Sequence, residues 1–254
     1  TKYEYIIGSD DKAVTGFVLH YTNLLIFKEE LIAQISSTTG LDSSASFPFT
    51  YIDTGIGCDC PETLRKIDNN AAWLNTKYGV FTLRATLIEN EKNIIHISEN
   101  IDGIGYNKGL LDEVGLEGSI AVAYRNKYYI FINGLAYVLD YGIYYNTSYP
   151  ENFVWLKYDN YNVSCVIPDK DLYYGSSVVG NFVCESAALN DFGQPINAFC
   201  TLKLFNFNLP DYLKKVTEVW VTMQNNTNST IAIQTMDENN NIRNITIPSN
   251  KFNS

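Results

Sequence analysis

From residue 16 the chain runs GFVLHYTNLLIFKEELIAQIS, short apolar stretches interrupted by pairs of polar residues. Runs of this length, bounded by turn formers and rich in β-branched and aromatic residues, predict strands rather than helices. The breaks at Thr22-Asn23 and Lys28-Glu29-Glu30 predict hairpin turns, so this stretch holds three strands. AAWLNTKYGVFTLRA (71–85) breaks between Asn75 and Gly79, where glycine supplies the positive φ that a tight turn needs. Trp73 and Phe81 then fall on the two arms of one hairpin and point into the space beside it, while Asn75 and Lys77 read as turn positions that tolerate substitution. IAVAYRNKYYIFINGLAYVLDY (120–141) turns at Arg125-Asn126-Lys127 and at Asn133-Gly134, the strongest two-residue hairpin signal in the chain. NYNVSCVIPDKDLYYGSSVVGNFVCES (160–186) turns between Pro168 and Asp171 and again between Gly175 and Gly180. Each unit reads as an antiparallel meander. One helix is expected at NKGLLDEVG (107–115), with apolar residues 110, 111 and 114 at helical spacing and Gly115 as its cap.

The turns near Asn23, Lys77, Asn126 and Lys170 recur at intervals of roughly fifty residues, a period that points to a propeller or a linear array. The fold class expected is all-β, a β-propeller-like array of four-stranded meander blades spanning 1–190; a sandwich or paired barrels are the alternatives. From 191 to 254 the pattern changes to four strand-like stretches (194–208, 216–224, 230–236, 242–247) joined by Asn-rich turns, a C-terminal β unit that reads equally as a closing blade or a small sandwich.

Composition narrows the function classes. The 254 residues carry a net charge of -10, against the dense Lys and Arg field that sequence-independent nucleic-acid binding needs, so DNA contact is expected only indirectly or through a local patch. Charged residues make up 18%, below the usual quarter, so the surface leans on hydroxyl and amide groups. No apolar run reaches the length of a membrane span, and TKYEYIIGSDDK lacks the regions of a signal peptide, so no membrane association is expected. The five cysteines (58, 60, 165, 184 and 200) include no CxxC pair and form an odd set, which suits reduced thiols better than a disulfide framework. Sequons at Asn146, Asn162, Asn225, Asn228 and Asn244 are about as frequent as chance gives in a chain this rich in Asn, Ser and Thr.

Catalytic signals are sparse. His20 (VLHYT) and His96 (IIHIS) are the two histidines, and each lies inside a strand pattern that predicts a hydrogen-bonded structural role. No GxSxG elbow, HExxH helix or phosphate-binding glycine loop occurs; Gly55-Ile56-Gly57 and Gly103-Ile104-Gly105 read as turns. Two carboxylates suitably spaced are enough for glycoside hydrolysis, and Asp53, Asp59, Asp102 and Asp140 are the candidates, each more simply read as a solvated turn residue. Cys58 and Cys60 offer two soft ligands, too few for a structural zinc site. No catalytic residue, cofactor or metal is therefore assigned.

The order of TGFVLHYTNLLIFKEELIAQI, IGCDCPETLRKIDNNAAWLNTKYGVFTL, SIAVAYRNKYYIFINGLAYVLDY, DLYYG and GQPINAFCTLKL with KKVTEVWVTMQ, from about residue 12 to 236, resembles the β-propeller proteins of tailed bacteriophages and prophages. These include packaged-DNA stabilisation proteins and tail-hub or neck components. The single pieces are loose: a Gly-Cys turn leading to Pro61, the hairpin of Trp73, Gly79, Val80 and Phe81, and a strand with Leu172, Tyr173 and Gly175. The resemblance implies a non-enzymatic virion structural protein, a neck or tail adaptor or DNA-stabilisation protein. It would be assembled in the bacterial cytoplasm, bind portal and tail components, and form a homo-oligomer within the particle. Tyr144, Tyr145 and Tyr149 are the candidate contact residues, because tyrosine offers a large rigid surface at low entropic cost. A carbohydrate-binding or glycoside-hydrolysing propeller is the alternative.

Overall fold

The computed structural model describes residues 4–9, 12–40, 44–67, 69–85, 92–103, 108–144, 153–178, 180, 182–185, 195–201, 215, 217–218, 220, 230–237, 239 and 241–247. The chain divides into two compact units, Thr1–Ile196 and Asn197–Ser254. It is all-β, with several four-stranded antiparallel sheets; among the described residues these close into neither a barrel nor a ring.

The first unit contains four meander sheets in chain order. Sheet 1 is β1 (Val14–His20), β2 (Asn23–Lys28), β3 (Ile32–Ile35) and β6 (Phe49–Asp53), with a small hairpin of β4 (Thr38–Thr39) and β5 (Ala45–Ser46) between its last two strands. Sheet 2 is β7 (Arg65–Ile67), β8 (Asn70–Asn75), β9 (Gly79–Ala85) and β10 (Lys92–His96). Sheet 3 is β11 (Ile120–Tyr124), β12 (Lys127–Ile132), β13 (Gly134–Asp140) and β14 (Val154–Tyr161), and sheet 4 is β15 (Cys165–Pro168), β16 (Leu172–Gly175) and β17 (Phe182–Glu185). The first strands sit side by side in sequence order: β1 touches β7, β7 touches β11, and β11 touches β15.

Turn chemistry fixes the registers. Arg125 and Asn126 both take positive φ (48° and 61°), as the two-residue turn between Tyr124 and Lys127 requires, and Asn133-Gly134 (43° and 84°) does the same between Ile132 and Leu135. The β1–β2 turn falls on Tyr21-Thr22, one residue before the expected Thr22-Asn23, because Tyr21 itself takes φ 53° and places its ring edge-on to His20. The first turn of sheet 2 lies beside Asn69 (φ 65°), so Lys77 belongs to that sheet's second turn and is out of phase with Asn126 and Lys170.

The space between sheets is filled by side chains in strict alternation. Along β8, Ala71 and Trp73 face sheet 1 with Leu25, Phe27, Ile32, Phe81 and Leu83, whereas Ala72 and Leu74 face sheet 3 with Tyr128, Ile130, Ile132 and Leu139. Tyr129, Phe131 and Val138 turn to the far face of sheet 3, where Leu172 of sheet 4 meets them. Every residue of β8 is buried, so NAAWLN shows none of the polar alternation of a half-exposed strand. Trp73 pairs with Phe81 across the hairpin, stacks on it at 6.0 Å and meets Phe27 edge-on at 5.0 Å.

The expected helix at 107–115 is replaced by two 3-10 turns, Leu110–Asp112 and Leu116–Gly118, with Gly115 at φ +86° between them. Its backbone is drawn sideways: Leu110 N–H donates to Ile101 O (2.7 Å) and Leu111 N–H to Asp102 O (3.1 Å), while Val114 is 76% exposed and buries nothing. A segment this short cannot recover the cost of helix nucleation by itself. Among the described residues the α-helical structure is a single turn, Tyr141–Tyr144.

The second unit contains a hairpin of β18 (Ile231–Met236) and β19 (Ile242–Ile247), closed by Asp237, whose carboxylate accepts the N–H groups of Asn239 and Asn241. Residues 195–201, expected to begin a strand, are exposed and pair with no described segment. The rest of that stretch and most of 216–224 lie outside the described residues.

Asn75 corrects a second expectation. It is buried rather than a free turn position: its Oδ1 accepts the N–H groups of Lys77 (3.0 Å) and Tyr78 (3.2 Å), and its Nδ2 donates to Gly57 O (3.1 Å). Urea denaturation should rank three variants. Trp73→Ala is expected to lose about 3–5 kcal/mol, Asn75→Ala about 2 kcal/mol through the lost turn cap and the orphaned buried carbonyl of Gly57, and Lys77→Ala less than about 0.5 kcal/mol. Equal losses for Asn75→Ala and Lys77→Ala would contradict the buried cap.

Candidate functional site

The four carboxylates singled out by sequence do not converge. Asp53 caps its own turn, accepting N–H groups from Gly55 and Ile56, both at 2.7 Å. Asp59 accepts the N–H of Thr76 at 2.9 Å and is also bonded by the Thr76 hydroxyl, tying the loop before sheet 2 to that sheet's second turn. Asp140 ends β13, at the sheet edge opposite the β12–β13 turn, and accepts the N–H of Gly142 at 3.2 Å. Each of these three holds backbone in place, as solvated turn carboxylates do.

Asp102 is different. It is buried, and its Oδ2 lies 2.6 Å from His96 Nε2, where β10 ends beside the β8–β9 turn. His96 stacks on Phe81 at 4.8 Å, and Ser98, fully buried, places its Oγ 3.3 Å from the same Nε2 while accepting the N–H of Val80 at 2.7 Å. Aspartate, histidine and serine are together, but both oxygens address one nitrogen. A nucleophile relay needs the serine and the carboxylate on opposite ring nitrogens, with the hydroxyl reachable by substrate. The cluster instead packs around Gly79, whose φ is +97° and where a Cβ would lie 2.6 Å from Asp102 Oδ2 and from Ser98 Oγ. His20, buried, makes a 3.2 Å contact from Nε2 to Asn70 Oδ1 and so links sheet 1 to sheet 2. Both histidines therefore take the structural places that the strand patterns implied.

Cys58 and Cys60 face different clusters, Cys58 the space between sheets 1 and 2 and Cys60 the space between sheets 2 and 3, so the two thiols cannot share an ion. Burial pushes the Cys58 thiol up to about 12, and burial together with the neighbouring Asp59 charge raises Cys60 as well, so both stay protonated and unreactive in the folded protein. Among the described residues no group of three or more His, Cys, Asp and Glu side chains could hold a metal ion.

Of the three tyrosines chosen for contact, Tyr144 closes the short helix, and Tyr145 and Tyr149 lie outside the described residues. Two other surfaces stand out, neither of which a residue motif could reveal. The first is the outer face of sheet 1. Val18 and Leu25 point inward, so alternation turns Phe17, Leu19 and its cross-strand partner Leu24 outward, leaving Phe17 61% and Leu19 57% exposed. The outer face of sheet 4 is similar, with Ile167 (53% exposed) paired to Tyr173. The second is a polar cleft of about 300 Å³ lined by the β2–β3 turn, the loop at 55–59 and the β8–β9 turn.

The chain matches no protein-family model and no curated protein. Among the described residues no helix is long and apolar enough to cross a membrane.

One charged cluster is set for titration. Glu113 Oε1 accepts the hydroxyl of Tyr137 (2.6 Å) and the ammonium of Lys157 (2.7 Å), joining the 3-10 turn at Leu110–Asp112 to β13 and β14. Burial opposes ionisation of Glu113, but the hydrogen bonds from Lys157 and Tyr137 and the Lys157 charge outweigh it, and the carboxyl sits below its ordinary range. Burial and the bond to Glu113 push Tyr137 up to about 12; Lys157 is raised because its bonds to Glu113 and Tyr137 overcome desolvation. A depressed carboxyl stabilises the fold above its unfolded value, near 4.3, and that contribution disappears as pH falls through the lower folded value. Half-exposed Lys157 limits it to less than about 1 kcal/mol. Wild type should therefore exceed Glu113→Gln in urea stability at pH 7, and the gap should narrow as pH falls below about 4; a gap that does not narrow on acidification would contradict the ion pair.

Proposed function

We propose that this chain is a non-enzymatic structural component of a phage or prophage particle, a neck or tail adaptor or DNA-stabilisation protein, built from propeller-like blades and acting through protein–protein assembly. Two lines support the blade reading. Meander sheets follow one another with their first strands in contact, and sheets 2 and 3 are covered on both faces, which is how blades pack radially. The ordered resemblance of the sequence segments to phage propeller proteins supplies the biological setting.

The observation that carries the assembly role is the contrast between inner and outer sheets. The middle strands of sheets 2 and 3 bury nearly all their described apolar side chains, with Val154 (37%) and Leu156 (39%) exposed on the edge strand β14, whereas sheets 1 and 4 leave Phe17, Leu19 and Ile167 more than half exposed. Contiguous apolar area of this kind marks an interaction surface. Unlike faces at the two ends of one array suit a heterologous contact, which generates rings or stacks when repeated between subunits. The other partners are portal and tail components, and the acidic chain leaves DNA contact indirect or local.

Pull-down against portal and tail proteins of the same genome, with a panel of chromogenic glycosides in parallel, tests the proposal. Capture is expected for wild type and should fall at least about tenfold for Phe17→Lys with Leu19→Lys, while stability stays within about 0.5 kcal/mol because both side chains are exposed. Hydrolysis of a glycoside, abolished by one Asp or Glu substitution, with no particle component captured, would replace the structural role with an enzymatic one.

A further inference from the structure

The cleft beside sheets 1 and 2 has a composition that the assembly role does not use. Its wall carries two ion pairs, Lys12 with Glu29 at 2.6 Å and Lys77 with Glu30 at 3.7 Å. Asp59, anchored on Thr76, and Tyr78, 49% exposed, line the cleft with them. The volume, about 300 Å³, lies at the small end of ligand sites.

From this lining we infer that the cleft binds a neutral sugar ring. The charges are internally balanced to within one unit: three carboxylates against two ammonium groups, four of these five groups already joined in pairs. An anion entering the cleft is repelled by Glu29, Glu30 and Asp59, and a cation competes with Lys12 and Lys77 for two of the three carboxylates, which leaves it the single net charge of solvated Asp59. A polyhydroxyl compound escapes this conflict because each hydroxyl both donates and accepts. An ion-paired carboxylate keeps lone pairs for hydroxyl donors, and the ammonium of Lys77, 66% exposed and loosely paired at 3.7 Å, offers N–H groups to hydroxyl acceptors. Hydrogen bonds to charged partners are the stronger kind. The C–H face of a pyranose completes the match by lying on the Tyr78 ring, an apolar body with a polar tip. Apart from Lys12, which precedes β1, the residues come from three loops held by sheets 1 and 2, so most of the cleft wall is formed before any ligand arrives. The step is binding without turnover, and it stands apart from the assembly role.

Saturation-transfer NMR with the methyl pyranosides of glucose, galactose, mannose and N-acetylglucosamine, and with glucuronate and inorganic phosphate as charged probes, tests this directly. At least one neutral pyranoside should receive saturation, with a dissociation constant on the order of millimolar, and Tyr78→Ala should weaken it about tenfold. Glu30→Gln, which keeps the side-chain shape, should weaken the same ligand and carries the test if Tyr78→Ala folds poorly. Silence from every pyranoside, binding unchanged in the variants, or tighter binding of glucuronate or phosphate would overturn the inference.

Discussion

Burial of sheets 2 and 3 on both faces is the constraint on which the rest depends. A strand with one face in water can shed polar groups to that side; β8 cannot, and so Trp73 fills the space toward sheet 1 while Leu74, next in the chain, fills the space toward sheet 3. Polar groups inside such a stack must find partners at the seams between sheets. They do so with long reach: Arg65 Nε donates to Ala121 O (2.7 Å), Tyr128 donates its hydroxyl to Thr63 O (2.6 Å), and Trp155 Nε1 donates to Ile97 O (2.7 Å). Thr63 is engaged twice, since its hydroxyl also accepts the N–H of Leu74, on β8, at 3.0 Å. The indole N–H of Trp73 has no hydrogen-bond partner among the described residues, so its dispersion and ring contacts outweigh that desolvation.

The same constraint decides where function can reside. Inner faces are committed to packing, which leaves turns, edges and the two outer faces for chemistry or contact. The turns carry most of the candidate acids, and these are occupied: Asp53 and Asp59 hold loop backbone, and Asp102 is locked beneath Gly79 with His96. A surface organised this way suits a rigid presenter of faces and loops, which is the scaffold role proposed.

Local chemistry was legible in the sequence; long-range packing was not. Asn133-Gly134 and Arg125-Asn126 announced their turns because positive φ demands those residue types, and from them the sheet 3 registers follow. The fourth strands of sheets 1 and 3, β6 and β14, went unread, because β6 returns only after the excursion through β4 and β5 and β14 follows a long link from β13. The turn period was read in mixed phase, since Lys77 looks like a better turn than the stretch beside Asn69. Asn75 resembled any turn asparagine until Gly57, distant in sequence, proved to accept from it. The pairing of Asp102 with His96, the opposed directions of Cys58 and Cys60, and the cleft around Tyr78 are all products of strands and loops meeting across sheets, which no residue spacing encodes.

If the first unit is one stack held by shared faces, protection against hydrogen exchange must follow depth in the stack rather than strand length. Exchange of the isolated protein, resolved by mass spectrometry to single strands, reads this out. The account predicts that β8 and β12 exchange slowest and at a common rate, with β1 and β15 faster, as the end sheets fray before the centre opens. Four sheets exchanging independently, with β8 no better protected than β1, would contradict it.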